Sequence, residues 1–272
     1  MPTAIVTGTS TGFGRSTAER LVRLGWTVIG TLRDPMRATG EEGWETIGLD
    51  LRDPDSIEAV AVVCERIGAL DALVSNAGFV VFGPLEEFGS EEFRDQLEVN
   101  LVGTMALVRV CLPALRTAGG VVVQVSSVAG QCGYAALGAY CASKFGLEAA
   151  TEAMAEETAA QGVRFVIVEP GPFRTQIGDK APQAARRDAT GLYDRVWQEE
   201  VDDFIEFLRD EAEDPEIAVD AIVAAATLPH SPFRIPVGDG VGDEMREHAR
   251  QVLADIDRAE AFLAANRRLG SP

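Results

Sequence analysis

Positive charge is scarce in this chain. Of its 272 residues, 24 are Lys or Arg against 43 Asp or Glu, a formal net charge of -19. A surface this acidic repels phosphate backbones and anionic headgroups, so nucleic acid and membrane partners are disfavoured. Histidine is rarer still, limited to His230 and His248. The four cysteines (Cys64, Cys111, Cys132, Cys141) show none of the spacings of metal or redox centres, so no metal site is expected. They read as reduced, mostly buried thiols of a cytoplasmic protein. No uninterrupted apolar run approaches the ~20 residues of a membrane span. Met1 leads almost at once into Thr3-Ala4-Ile5-Val6-Thr7, without the basic region and apolar stretch of a signal peptide. Internal repeats, low-complexity tracts and interdomain linkers are also missing, so residues 1–272 are expected to form a single domain.

What is present is a regular alternation. Short Val- and Ile-rich runs stand at Ala4 to Thr7, Trp26 to Leu32, Thr46 to Leu49, Ala72 to Val74, Val121 to Val125, Phe165 to Val168 and, weakly, Arg234 to Val237. They are apolar at successive positions, as parallel strands covered on both faces are. Segments of helical period separate them. In Glu92 to Leu112, for example, Phe93, Leu97, Leu101, Met105 and Val108 recur at three- and four-residue steps. This predicts an α/β fold with a doubly wound, Rossmann-type parallel sheet of seven strands. Pro35 to Gly43 leaves room for only a brief helix. Residues 176–214 form a long insertion before the last strand, intensely acidic in its second half, with Trp197, Val201, Phe204, Ile205 and Leu208 on one helical face. That face reads as a stripe docked on the body; the sharper alternative is a substrate lid with Trp197 or Phe204 toward the ligand. Residues 242–272 read as a C-terminal helical extension.

Two constellations carry chemistry. The first strand runs into Gly8-Thr9-Ser10-Thr11-Gly12-Phe13-Gly14 and then a helix. Glycines there let the backbone bend and approach a pyrophosphate, whose charge a helix N-terminus favours. The spacing differs from the standard Gly-x-Gly-x2-Gly, and the turn by itself is weak evidence. The second constellation is Ser127, Tyr140 and Lys144. Tyr140 and Lys144 share a helix face, and a cation beside a phenol favours the phenolate. Such a tyrosine suits proton exchange with a carbonyl/alcohol pair, with Ser127 at the strand edge holding the substrate oxygen.

Together these residues resemble the single-domain short-chain dehydrogenase/reductases, from about residue 3 to about 240. Gly8, Gly12 and Gly14 after Thr7 resemble the family's cofactor loop, Asp50 its adenine-side aspartate, and Asn76-Ala77-Gly78 the motif ending the fourth strand. Asn100, Ser127, Tyr140 and Lys144 match its catalytic tetrad. Pro170-Gly171 with Thr175 resembles the turn that contacts the nicotinamide carboxamide. Phe13 and Ser75 depart from the usual residues without removing a needed group. The resemblance implies that Tyr140 exchanges the proton and Ser127 orients the substrate oxygen. Lys144 would lower the tyrosine pKa and bind the nicotinamide ribose, and Asn100 would hold a water leading to solvent.

The second strand ends Leu32-Arg33-Asp34, so the carboxylate that NAD enzymes place at the strand end is replaced by Leu32. Arg33 suits a 2′-phosphate, with Ser10 and Thr11 as further donors, and NADP(H) is the expected cofactor. A loop shift bringing Asp34 to the ribose would restore NAD. Thr31 to Asp34, Tyr140 to Phe145 and Gly83 to Glu86 look most like the steroid and retinol dehydrogenase branch. That implies a bulky hydrophobic or cyclic alcohol or ketone, with Val128, Tyr134, Phe173, Ile177 and the Trp197–Leu208 face as pocket candidates. Analogy also implies a homodimer or homotetramer through Glu92–Leu112 and Ala139–Gln161. Two alternatives stay open: a catalytically silent NADP(H)-sensing regulator, and a non-redox epimerase or lyase using the cofactor transiently.

Overall fold

The computed structural model describes residues 1–38, 43–175, 181–184 and 190–266. All seven runs become strands: β1 Thr3–Thr7, β2 Thr27–Leu32, β3 Glu45–Gly48, β4 Ala72–Ser75, β5 Val121–Val125, β6 Arg164–Pro170 and β7 Arg234–Val237. They form one parallel sheet in the order β3-β2-β1-β4-β5-β6-β7. The order reverses between β1 and β4, and ligands of such sheets bind at the carboxyl edge of this switch point. The unbroken apolar runs follow from cover on both faces. Ala4 and Val6 face α1 (Gly12–Arg23) and α6 (Glu216–Thr227), whereas Ile5 faces α2 (Pro54–Ile67) and α3 (Ser90–Ala118).

Helix α3 departs from the expected stripe. Val108 is fully buried as expected, but Phe93, Leu97, Leu101 and Met105 are only half-buried, and the core side before Val108 runs instead through Gln96, Val99, Asn100, Gly103, Thr104 and Leu107. The cause is a π-helical turn over Glu98–Gly103, which inserts an extra residue and rotates the inward face. At Gly103 the helix meets the Leu51 carbonyl so closely that a Cβ would stand 1.9 Å from its oxygen. This helix is long and apolar enough to cross a membrane by composition, yet over half of its most apolar window is buried inside the protein.

The expected brief helix is a 3-10 turn, Pro35–Arg37. Helix α4 is Gly138–Thr158, carrying Tyr140 and Lys144. In the insertion, residues 176–180 and 185–189 lie outside the described set, while Asp194–Val196, Trp197–Asp202 and Asp203–Asp210 follow one another as a helical run, α5. Its face docks as the first reading has it: Trp197, Val201 and Leu208 are buried. Trp197 is 1% exposed and donates its indole N–H to Glu87 at 2.7 Å, so it anchors the helix and does not stand free over a cleft. The C-terminal helix, α7, spans Val241–Asn266; its first turn packs through Val241 on Val128 and Cys132 while Leu253, Ile256, Phe262 and Leu263 stay exposed.

Candidate active site

The glycine turn is built against β4. Thr7 Oγ1 accepts the backbone N–H groups of Asn76 and Ala77, both at 2.9 Å, and Asn76 Nδ2 donates to the Thr7 carbonyl at 2.9 Å. Gly8 has φ +73°, and a Cβ on Gly14 would lie 2.4 Å from the Gly8 oxygen, so both positions require glycine. Helix α1 then opens at Gly12 with Thr11 as N-cap, but the Thr11 side chain makes no capping bond and the first turn has no acidic residue. A helix end left without a side-chain cap and open to approach is a seat for an anion. A Cβ on Gly12 would meet nothing within 4 Å, and Ser10 is exposed beside it. These residues fit the diphosphate of a dinucleotide.

At the end of β2, Arg33 is exposed and, among the described residues, has no ion-pair partner. Asp34 is committed elsewhere: it caps the Pro35–Arg37 turn, accepting from the Met36 N–H at 3.1 Å. The alternative in which Asp34 swings to a ribose would cost that cap. Asp50 follows β3, where it accepts the Arg52 N–H at 3.0 Å.

Ser127, Tyr140 and Lys144 converge where β5 and α4 meet. Ser127 Oγ accepts from the Ala129 N–H at 3.2 Å and donates to the Pro170 carbonyl at 3.4 Å, close enough to the Tyr140 phenol to favour its ionised form. Tyr140 keeps part of its surface open to solvent, but burial pushes its phenol up to about 12, the nearby Ser127 hydroxyl pulling the other way. Burial thus outweighs the expected depression of the phenol by Lys144. The Lys144 ammonium donates to the Val125 carbonyl at 2.9 Å and stands 5.7 Å from the Tyr140 ring centroid. Burial brings Lys144 down to about 8, against a raising pull from Glu148. Asn100 lies in the π turn, 1% exposed. Its amide accepts the Phe79 N–H at 3.1 Å and donates to the Phe79 carbonyl and Ser143 Oγ at 2.9 and 3.1 Å. The side chain is thus engaged with protein, pinning the strand-end segment that carries Gly78. A Cβ on Gly78 would approach Asn100 Oδ1 to 3.1 Å.

After β6, the Gly171 N–H donates to the Val237 carbonyl at 2.9 Å and the Thr175 N–H to Phe173 at 2.8 Å. Phe173 is a correction: it is 3% exposed in the main core, edge-on to Phe13 at 5.8 Å, so it ties this turn to α1 and does not line a pocket. Ile177 lies outside the described residues. Tyr134 donates to Glu244, holding the start of α7 beside Val128. Tyr140 instead borders an apolar cluster of Val80, Phe82, Ala136, Ala139, Trp197 and Val201.

Some participants were missed from the sequence. Ser126, Ser143 and Gln96 hold the site through local hydrogen bonds, and nothing in their spacing marks them. Glu148 and Glu169 did leave a signal: one stands four residues after Lys144, the other is a carboxylate directly after the apolar run Phe165 to Val168.

Comparison with known proteins agrees with this geometry. Residues 2–186 match the family model described as short chain dehydrogenase. The chain is 30% identical over 253 residues to the uncharacterized oxidoreductase YusZ of Bacillus subtilis, covering 88% of this chain and 89% of that protein. It is 32% identical over 254 residues to mouse retinol dehydrogenase 7, covering 86% and 79%. A short-chain dehydrogenase structure from Streptomyces avermitilis superposes with a TM-score of 0.84 at 34% identity, over 98% of this chain and 100% of that one. One from Burkholderia cenocepacia, in complex with NADP, gives 0.73 at 25% identity over 100% and 98%. With the seven-stranded parallel sheet, the glycine turn and the Ser127–Tyr140–Lys144 cluster all in place, this chain belongs to the short-chain dehydrogenase family of oxidoreductases.

Proposed function

We propose that the protein is an NADP(H)-dependent oxidoreductase that interconverts a secondary alcohol and a ketone, acting on a bulky hydrophobic or cyclic substrate. The observation that carries this is the juxtaposition of Ser127, Tyr140 and Lys144 at the carboxyl edge of β5, beside the glycine turn. Gly8, Ser10, Thr11, Gly12, Phe13 and Gly14 would hold the diphosphate side of the cofactor. Arg33 and Asp50 would take the adenosine side, and Asn76, Ala77, Gly78, Pro170, Gly171 and Thr175 the nicotinamide side. When bound, NADPH supplies the hydride.

The chain's own residues manage the proton. In reduction, the Tyr140 phenol gives its proton to the carbonyl oxygen as that oxygen gains negative charge, while the Ser127 hydroxyl holds the oxygen in place. Lys144 stabilises the phenolate left behind, because a positive charge near the phenol favours its ionised form. Oxidation reverses the transfer. Asn100 acts through the backbone it fixes at Phe79.

Arg33 and the capping role of Asp34 support NADP(H) over NAD(H), and the NADP complex of the Burkholderia relative is consistent with that choice. The apolar cluster bordering Tyr140 supports a hydrophobic substrate, in keeping with the retinol dehydrogenase relative. Exposed Val102 on α3 and Phe145 on α4 support a homodimer or homotetramer through those helices, and the buried free thiols support a cytoplasmic setting. The deciding experiment follows NADPH absorbance against a panel of cyclic, aromatic and long-chain ketones. Turnover is expected for some of them and should vanish in Tyr140→Phe while NADPH binding persists. A variant that keeps a tenth or more of the rate removes Tyr140 from its role.

A further inference from the structure

A charged cluster lies directly behind the site. Glu148, one turn after Lys144 on α4, is 2% exposed, and Glu169 in β6 is 0% exposed. Both carboxylates meet one guanidinium nitrogen of Arg234 on β7, each at 2.5 Å, and Glu152 meets the other at 2.5 Å. Glu148 also accepts from Ser126 Oγ at 2.5 Å and from the Gln131 side chain. Ser126 precedes Ser127, and Gln131 follows the 3-10 turn Val128–Gly130 that Ser127 caps. A Cβ on Gly130 would fall 2.0 Å from Glu148 Oε1, so the turn is shaped to admit this carboxylate. Burying two carboxylates around one guanidinium is costly compared with packing hydrocarbon there, which argues for a task beyond stability.

Resting on the reading that Ser127, Tyr140 and Lys144 carry the reaction, we propose that Glu148 is a positioning residue for them. It clamps the strand end bearing Ser127 to the helix bearing Tyr140 and Lys144, and its carboxylate, paired with Arg234, sets negative charge one helical turn from the Lys144 ammonium. The charged groups around Glu148 come from every element packed on it: Lys144 and Glu152 from α4, Glu169 from β6 and Arg234 from β7. Burial lowers the Lys144 ammonium to about 8, and the Glu148 charge offsets part of that fall. Glu169 is pushed up to about 7 by burial and by Glu148, with Arg234 opposing. A proton on Glu169 relieves the repulsion between the two buried carboxyls.

The chain contains two lysines, Lys144 and Lys180, so lysine labelled with carbon-13 at the ε position gives two resonances, assigned by Lys180→Arg. In Glu148→Gln the Lys144 titration midpoint should fall by roughly one pH unit, the effect of removing a neighbouring opposite charge. Glu152→Gln, whose carboxylate is 54% exposed, should leave it in place. An unmoved midpoint in Glu148→Gln overturns the proposal, and this readout needs no substrate. Replacing both Ser126 and Gln131 by alanine cuts the clamp without altering charge. It should lower kcat about tenfold with the NADPH KM unchanged, and an unaltered kcat overturns the clamp. It also decides the matter should Glu148→Gln fail to fold. Absence of wild-type turnover across the ketone panel counts against the proposed reaction, while the lysine midpoint still tests Glu148.

Discussion

The pKa values of Tyr140 and Lys144 are driven apart, since burial raises the phenol to about 12 and lowers the ammonium to about 8. In both cases burial disfavours the charged form. In reduction the phenol must be protonated, which it is throughout the neutral range, while Lys144 must be charged, which it is below about 8. The reductive kcat is therefore expected to be level from pH 6 to 7 and to fall as pH passes about 8; oxidation, which needs the phenolate, should climb with pH. Profiles in both directions check this, and a reductive rate that rises above pH 8 contradicts it. Arg33 belongs to the same scale. Among the described residues it has no ion-pair partner, and under the proposed NADP(H) reading it meets the 2′-phosphate, so Arg33→Ala should raise the NADPH KM tenfold or more, about 1.4 kcal/mol, and leave the NADH KM unchanged. A wild-type enzyme that prefers NADH tenfold ends the case for NADP(H). These residues were legible because type and spacing announce them. The phenol's upward shift was not, because it depends on how closely other groups surround it.

At the scale of elements, the strands were the readable part. Val121 to Val125 could hardly be anything else, and all five residues are buried. The π turns at Glu98–Gly103 and Trp197–Asp202 were not readable, because a single inserted residue leaves no mark on a 3.6-residue period. The stripe through Phe93, Leu97 and Leu101 consequently points half out. Asn100 reaches Phe79 because the turn moves it inward. In the insertion, sequence supplied the right apolar face on α5 but left its use open. Trp197 sits as an anchor, packed against Gly83 and hydrogen-bonded to Glu87. Trp197→Ala should destabilise the protein by about 3–5 kcal/mol, the cost of truncating a buried aromatic. Chemical denaturation measures it. A loss below about 1 kcal/mol, within the range of surface substitutions, would favour a loosely held lid.

For the whole molecule, the net charge of -19 and the buried Glu169 push stability the same way. Like charges repel in the compact state, so removing negative charge by lowering pH favours folding. Glu169 has its pKa raised from 4.5 to about 7, so between those values the folded state binds more protons than the unfolded one. Stability from this group is full below the unfolded value and is lost as pH rises through about 7. Lys144 works oppositely, but only above about 8, because its folded value lies below its unfolded one. The melting temperature should therefore be higher at pH 6 than at pH 7.5. Salt separates the two causes. At about 0.5 M NaCl the Debye length falls to roughly 4 Å, which screens exposed charges and leaves buried ones nearly untouched. Added salt should raise the melting temperature at both pH values and shrink the difference between them without abolishing it. Glu169→Gln should remove the part that survives salt, because glutamine cannot titrate. If the high-salt difference persists unchanged in Glu169→Gln, the titrating group is another, and Glu169 is ionised in the folded protein alongside Glu148.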